Sequence, residues 1–210
     1  MNARETVLGR VRDALRLAPP HPAVAPPRDY RRGRTLPDGE RCELFVDRLT
    51  DYKARVLLGT TDETPTILAD VLTRLGARRV GVPAGLDPSW LAEWEGEVVT
   101  DSADVPAPRL ADLDAVVTAS AVGCAETGTI FLDSSADQGR RALTLVPDVH
   151  VCVVDLSRIA VGVPEALAGL LPERPTTLVS GPSATSDIEL ERVEGVHGPR
   201  TLTVLVRTDA

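Results

Sequence analysis

Residues 55–82 read R-V-L-L-G-T-T-D-E-T-P-T-I-L-A-D-V-L-T-R-L-G-A-R-R-V-G-V, and the class of fold follows from them. Arg55 to Leu58 is a short apolar run. Asp62-Glu63-Thr64-Pro65 has the composition of a helix start, because the first helical N–H groups lack intrahelical partners and proline has none to lose. Ile67, Leu68, Val71, Leu72 and Leu75 recur at helical spacing up to Gly76, and Arg79 to Val82 is again strand-like. Strand, helix and strand in succession make a βαβ unit, whose two strands run parallel because the helix carries the chain back to its starting edge.

The same alternation continues downstream. Pro88 to Trp94 reads as a short helix, Glu97 to Thr100 and Asp114 to Thr118 as strands, and Val149 to Asp155 as a buried strand with His150 at its mouth. Thr176 to Val179 and Thr201 to Val206 complete the set. Upstream, a helix is expected from about Gly39 to Thr50, with Leu44, Phe45 and Leu49 on one side. Six prolines between Pro19 and Pro37 make that stretch a linker. Before it, Val7, Val11 and Leu15 mark an amphipathic helix over about Asn2 to Leu17, an arm expected to dock on the body or on a partner. The expectation is an α/β fold, a mostly parallel sheet with helices on both faces, in residues 38–210, preceded by a helical arm and linker in residues 1–37.

Composition excludes several function classes. The chain has 210 residues, 43% of them apolar, enough for one substantial core. Asp and Glu outnumber Lys and Arg by 31 to 23, a balance that argues against nucleic acid and against anionic membrane as partners. Lys53 is the sole lysine, a bias of composition rather than a sign of phosphate recognition. Cys42, Cys124 and Cys152 are single and widely spaced, without the C-x-x-C pairing of a disulfide framework or an iron–sulfur site. No apolar run is long enough to span a bilayer, and the N-terminus has no apolar core of a secretory signal. A cytoplasmic chain is expected, and nothing in the sequence decides whether it forms a homo-oligomer.

Two segments carry the chemistry-bearing residues. Ser180 to Arg200 is a polar connection between two strands, punctuated by Gly181-Pro182 and Gly198-Pro199 and holding Ser183, Thr185, Ser186, Asp187, Glu189 and His197. Hydroxyls and backbone N–H groups hold anions, carboxylates move protons, and histidine does either near neutral pH. The same residue types also cap turns and helix starts in any ordered surface loop. The second segment follows the Asp114 strand: small residues lead to Glu126, Thr127, Gly128 and Thr129. Glu126 would serve as a base or nucleophile if it lined a pocket, or cap a backbone turn if it did not. Arg140 and Arg141 form a pair able to clamp a carboxylate or phosphate, although adjacent arginines are commonly solvated charge. Ser183, His197 and Glu126 contain the residue types of a hydrolytic triad without a G-x-S-x-G elbow, and His150 and His197 lack the spacing of a metal site. No bound metal or cofactor is expected.

Three blocks in this order, A-E-T-G-T-I at 125–130, G-R-R-A-L-T-L-V-P-D-V-H at 139–150 and S-G-P-S-A-T-S-D-I-E at 180–189 with G-V-H-G-P-R at 195–200, resemble the signature of the lactate-utilisation (LUD) domain family, in its C-type branch. The resemblance is dense from about Asp114 to Val206 and looser before it. It implies a fold similar to the NagB/RpiA/CoA-transferase-like superfamily and a part in the oxidation of L-lactate to pyruvate. In that system the iron–sulfur clusters are expected in the partner lactate-utilisation proteins A and B. It further implies that residues 126–129, 180–189 and 197–200 converge on one cleft for a small anionic ligand, outside the carboxyl ends of the strands. The expected role is an accessory or ligand-binding subunit. The alternative is a stand-alone enzyme acting through Glu126 on a small anionic acyl or sugar-phosphate-like ligand, by analogy with the glutamate nucleophile of CoA-transferases.

Overall fold

The computed structural model describes residues 2–17, 25–185, 193–194 and 198–210; for 184, 185, 193 and 194 only the backbone is considered. The chain falls into two compact units, 1–31 and 32–210. The first holds α1 (Ala3–Leu17), which starts where it does because Asn2 and Glu5 cap each other. The Glu5 N–H donates to Asn2 Oδ1 (2.9 Å) and the Asn2 N–H to Glu5 Oε2 (3.1 Å), so two N-terminal donors are satisfied reciprocally.

In chain order the second unit contains α2 (Asp38–Asp51), β1 (Arg55–Gly59), α3 (Thr64–Arg74), β2 (Arg79–Val82), β3 (Glu97–Thr100), β4 (Ala115–Thr118), β5 (Val122–Cys124) and β6 (Thr129–Leu132). It continues with β7 (Val149–Asp155), β8 (Ile159–Ala160), α4 (Val163–Ala168), β9 (Thr177–Val179), β10 (Ala184–Thr185), β11 (Val193–Glu194) and β12 (Thr201–Arg207). The main sheet has six strands in the order β1-β12-β7-β4-β2-β3, every neighbouring pair parallel. Its central strands β7 and β12 are buried at every position except their ends. That is why their sequences run apolar without alternation: both faces are covered.

Helix α3 begins at Thr64 with Pro65 in its first turn and ends as Gly76 takes the left-handed conformation (φ 69°) that glycine adopts without steric penalty. Leu68, Val71 and Leu72 are its buried face and pack on one side of the main sheet with Val80, Val117, Val151, Val153, Leu205 and the indoles of Trp90 and Trp94. The other side is covered by Cys42, Phe45 and Leu49 of α2, which meet Cys152, Val154, Leu202, Val204 and Val206. A helix therefore lies on each face, as the alternation predicts.

A second sheet completes the α2 side, and the sequence reading did not foresee it. Its four strands run β8-β5-β6-β9, with β5–β6 and β6–β9 antiparallel and β5–β8 parallel. Ile130 and Leu132 of β6 and Ile159 of β8 join the α2 core, so this sheet shares one apolar layer with the main one. The strands are two to four residues long and draw partners from distant parts of the chain. Periodicity within a short window cannot register such pairing.

Candidate functional site

The carboxyl ends of the two central strands are closed. Arg207, the last residue of β12, donates through Nε to Asp155 at the end of β7 (2.7 Å), and its guanidinium lies over the Trp90 ring at 4.9 Å. The cleft formed by the polar segments opens at the opposite end, corresponding to the amino termini of β7 and β12, between the main sheet and β9. The expectation was a cleft beyond the carboxyl ends of the strands; the Ser180 to Ser183 and Gly198-Pro199 segments line one at the amino ends instead. The reason is topological: Ser180 to Ser183 leave β9 of the second sheet and Gly198-Pro199 enter β12, so both meet at the start of β12 and not at its end.

This cleft encloses about 320 Å³, within the range that takes a small molecule. Ser180, Gly181, Pro182 and Ser183 form one wall, with Gly198, Pro199 and Leu202; Arg141, Thr144, His150 and Tyr52 form the others. The loop is held by the Ser183 N–H donating to the Pro199 carbonyl (2.8 Å). Gly181 has a positive φ of 153°, and a Cβ there would stand 2.7 Å from the Tyr52 carbonyl oxygen, so any larger residue would push the wall off Tyr52.

Arg141 stands exposed at the rim, yet enough protein surrounds its guanidinium to lower its pKa by desolvation. Arginine is still a cation in any folded protein. Thr144, buried beside it, accepts from Arg141 Nη1 (3.3 Å) and donates to the Arg141 carbonyl (3.3 Å), which fixes where the cation points. His150 is 1% exposed and its Nε2 lies 2.8 Å from Thr118 Oγ1. Burial, helped by the charge of Arg141, pushes the imidazole pKa from 6.5 down to about 4. The ring is therefore neutral at physiological pH. Behind it, burial raises the Cys152 thiol to about 12, which makes it an inert core thiol and not a nucleophile. Cys124 is likewise fully buried.

The segment 126–129 reaches this cleft only in part. Thr127 Oγ1 and Thr129 Oγ1 are 2.7 Å apart, and Thr129 Oγ1 is 2.8 Å from Ser180 Oγ, so a chain of three hydroxyls connects the β5–β6 turn to the cleft wall. Gly128 does not face the cleft; it packs against the Arg48–Leu49 backbone of α2. Glu126 is not among the lining residues. Its Oε1 accepts from Arg34 Nη1 at 2.6 Å, and its Oε2 lies toward Gly162. Glu126 is thus placed against Arg34 and outside the lining of this cleft.

The two adjacent arginines separate. Arg140 donates through Nε and Nη2 to both oxygens of Asp101 (2.8 Å each) and through Nη2 to the Val105 carbonyl (2.7 Å), so its fork is committed to holding the β3 exit. It lines instead a second, shallower cleft of about 690 Å³ at the carboxyl ends of β2 and β3, with Pro83, Asp101 and Ser135; Arg141 and Thr177 border both clefts. Ser186, Asp187, Glu189 and His197 lie outside the described residues, and Thr185 is described only as part of the β10–β11 pairing. Among the described residues no three His, Cys, Asp or Glu side chains are grouped to hold a metal ion, and no helix is long and apolar enough to cross a membrane.

Sequence reasoning did not single out Tyr52, Thr144, Thr177 or Leu202, and it placed His150 at the mouth of a buried strand without making it a cleft residue. A histidine opening an otherwise apolar strand was the available signal, since such a residue is buried among neighbours that must satisfy it.

The LUD domain family model matches residues 42–206, which span every residue of the cleft. The chain belongs to the LUD domain family. Among its relatives in that family, "Lactate utilization protein C" of Deinococcus radiodurans is 45% identical over 192 residues, covering 90% of this chain and 85% of the relative. A protein of the same name from Geobacillus kaustophilus is 32% identical over 140 residues, 60% of this chain and 58% of the other. A crystal structure of a DUF162 family protein from D. radiodurans superposes with a TM-score of 0.70 at 39% identity, covering 82% of this chain and 99% of that one. The α/β fold of this LUD domain thus has an experimental counterpart.

Proposed function

We propose that this chain works in L-lactate utilisation as an accessory or ligand-binding subunit, and that its ligand is a small carboxylate held in the cleft at the start of β7 and β12. The role in lactate utilisation is supported by the family match and by the name that its relatives carry. Ligand binding is supported by one arrangement above all: a cation, Arg141, oriented by Thr144 at the mouth of a small cleft whose inner walls offer the Ser180 hydroxyl and a neutral imidazole. A carboxylate entering there meets a charge-assisted donor at the rim and neutral hydrogen-bonding groups inside.

The partners in this reading are lactate-utilisation proteins A and B. Any iron–sulfur chemistry is assigned to them, because Cys42, Cys124 and Cys152 are single, widely spaced and buried, without the spacing of a cluster site. The other expectation, a self-sufficient enzyme with Glu126 as nucleophile, draws no support from a carboxylate already 2.6 Å from Arg34 and outside the cleft lining.

One set of calorimetric titrations tests the proposal. Short-chain monocarboxylates, from acetate through propionate to L-lactate, are titrated into the purified chain and into two variants. Arg141→Gln is expected to weaken binding by about tenfold or more, the loss of one charge-assisted contact at a partly exposed site. Glu126→Gln is expected to change affinity by less than about twofold, and stability by no more than about 1 kcal/mol, because the pair it removes is partly solvated. Binding that survives Arg141→Gln and disappears with Glu126→Gln would reverse the assignment. No binding of any of these acids by the native chain would remove it.

A further inference from the structure

The carboxyl edge of the main sheet is closed over β7 and β12 but open over β2 and β3. That opening lies where the chain reverses its path. From β2 the chain proceeds to β3 on one side; from β4, the other neighbour of β2, it proceeds toward β7 on the opposite side. Open parallel sheets take ligands at such a point, because no crossover covers the carboxyl ends where successive connections diverge. The β6–β7 connection is pinned into this crevice: the Gly85 N–H donates to the Ala136 carbonyl (2.8 Å) and the Ala119 N–H to the Asp137 carbonyl (3.0 Å). A Cβ at Gly85 would stand 2.6 Å from that of Ala136, so the connection is seated closely. The cleft of about 690 Å³ is the space beside it.

Its lining holds two kinds of group. Pro83, Ala84, Ala136 and Pro175 give short apolar walls, and Ser102, Ser134 and Thr177 give hydroxyls that make no hydrogen bond among the described residues. The charge comes from Arg140. Asp101, only 8% exposed, holds its Nε and Nη2, and Nη2 also reaches the Val105 carbonyl. The two N–H groups of Nη1 enter none of these bonds. Arg174, the next cation, is taken by Asp133 and the Ser135 hydroxyl, and Arg141 is bonded to Thr144. A guanidinium already immobilised by a carboxylate loses little freedom when its remaining edge binds an anion. One such edge beside apolar walls matches a single negative charge on an apolar body.

We propose that the cleft beyond β2 and β3 is a second binding site, for an organic monocarboxylate bulkier than lactate. Its carboxylate is held by Arg140 Nη1 with the hydroxyls of Ser102 and Ser134, and its apolar body lies against Pro83, Ala84 and Pro175. The volume, about twice that of the cleft at β7 and β12, has room for that body. This site draws nothing from the reading of the first cleft, and neither depends on the other being occupied.

The test titrates phenylacetate, acetate and benzylamine into the full chain by calorimetry and follows backbone amide shifts with phenylacetate. Phenylacetate is expected to bind about tenfold or more tightly than acetate, which has the head without the body. Benzylamine, which has the ring with the opposite charge, is expected to bind at least about tenfold more weakly than phenylacetate. Amide shifts are expected at Ala84, Ser102 and Ser134, and excess L-lactate is expected to leave them in place. Ala84→Trp, at an exposed position, is expected to fill the cleft and weaken phenylacetate by about tenfold or more, with an unchanged urea midpoint. Arg140→Gln is expected to weaken it by a similar factor. That variant leaves Asp101 buried without its cation, so where it does not fold, Ala84→Trp and the amide shifts decide the matter. No binding of phenylacetate, equal binding of benzylamine, full affinity in Ala84→Trp, displacement by L-lactate, or shifts confined to Ser180 to Ser183 and Leu202 would each overturn the inference.

Discussion

Gly128→Ala is expected to lower the stability of the chain by about 3 kcal/mol, more than its single added methyl group suggests. Two penalties combine. Gly128 sits at φ 57°, the left-handed region, where an L-residue with a Cβ costs about 1–2 kcal/mol. A Cβ there would also stand 2.7 Å from Arg48 Cβ and 2.9 Å from the Leu49 backbone nitrogen, atoms of α2 that have no flexible end to swing aside. Relief requires α2 to move off the sheet that Phe45 and Leu49 cover, and overpacking of this kind costs a further 1–3 kcal/mol or so. Gly76→Ala supplies the control. Gly76 has a similar φ, 69°, but nothing lies within 4 Å of its added Cβ, so only the backbone penalty of about 1–2 kcal/mol applies. Urea midpoints of the two variants separate the terms, and an equal loss at both positions would show that the contact with α2 is immaterial. Because Thr127 and Thr129 flank Gly128 and connect through Ser180 to the cleft wall, Gly128→Ala is also expected to weaken ligand binding, whereas Gly76→Ala is not.

Acidification is expected to destabilise the chain by on the order of 3 kcal/mol between pH 6.5 and pH 4, through His150 alone. The folded state holds this ring neutral with a pKa of about 4, against 6.5 when unfolded, chiefly by burial and secondarily by the charge of Arg141. A base whose pKa is depressed on folding takes up its proton more readily in the unfolded chain. The stabilisation is therefore complete above pH 6.5, declines by about 1.4 kcal/mol per pH unit as pH falls through the window, and levels off below pH 4. The groups around the ring do not share this window. Arg141 remains charged throughout, and the Cys152 thiol, at about 12, remains protonated. Asp87 and Asp114 have pKa values lowered chiefly by hydrogen bonds from Ser89 and from the Arg78 and Arg79 backbone, and in Asp133 burial is outweighed by hydrogen bonds from Ser135 and the charge of Arg174, so their own losses begin at lower pH. Denaturant midpoints at pH 7.5, 6.5, 5.5 and 4.5 measure the slope. The difference between native chain and His150→Gln isolates the histidine, and a slope that persists unchanged in the variant would assign it elsewhere.

The burial that keeps His150 neutral makes it a liability once protonation becomes favourable. Its partner Thr118 is at the end of β4 and Cys152 is two residues further along β7, so the group is assembled by parallel register and not by any local motif.

Local sequence determined the main sheet. Each of its strands advertises itself over a few residues: β7 and β12 through unbroken apolar runs, β2 and β4 through short Val- and Ala-rich ones, and α3 through apolar spacing that ends at a glycine. Those signals survive because they arise within one element. The three family blocks likewise identified the LUD domain. The second sheet, the end of the main sheet on which the cleft opens, and the choice between Arg140 and Arg141 were decided only in the tertiary structure. Two neighbouring arginines are equivalent as text; Asp101 binds Arg140 at 2.8 Å, while Arg141 bonds Thr144 beside the other cleft. Glu126 is equally ambiguous until Arg34, far away in the chain, is brought to 2.6 Å from it. Charge and hydroxyl chemistry act over a few ångströms, and which groups come that close is settled by how distant strands register against each other.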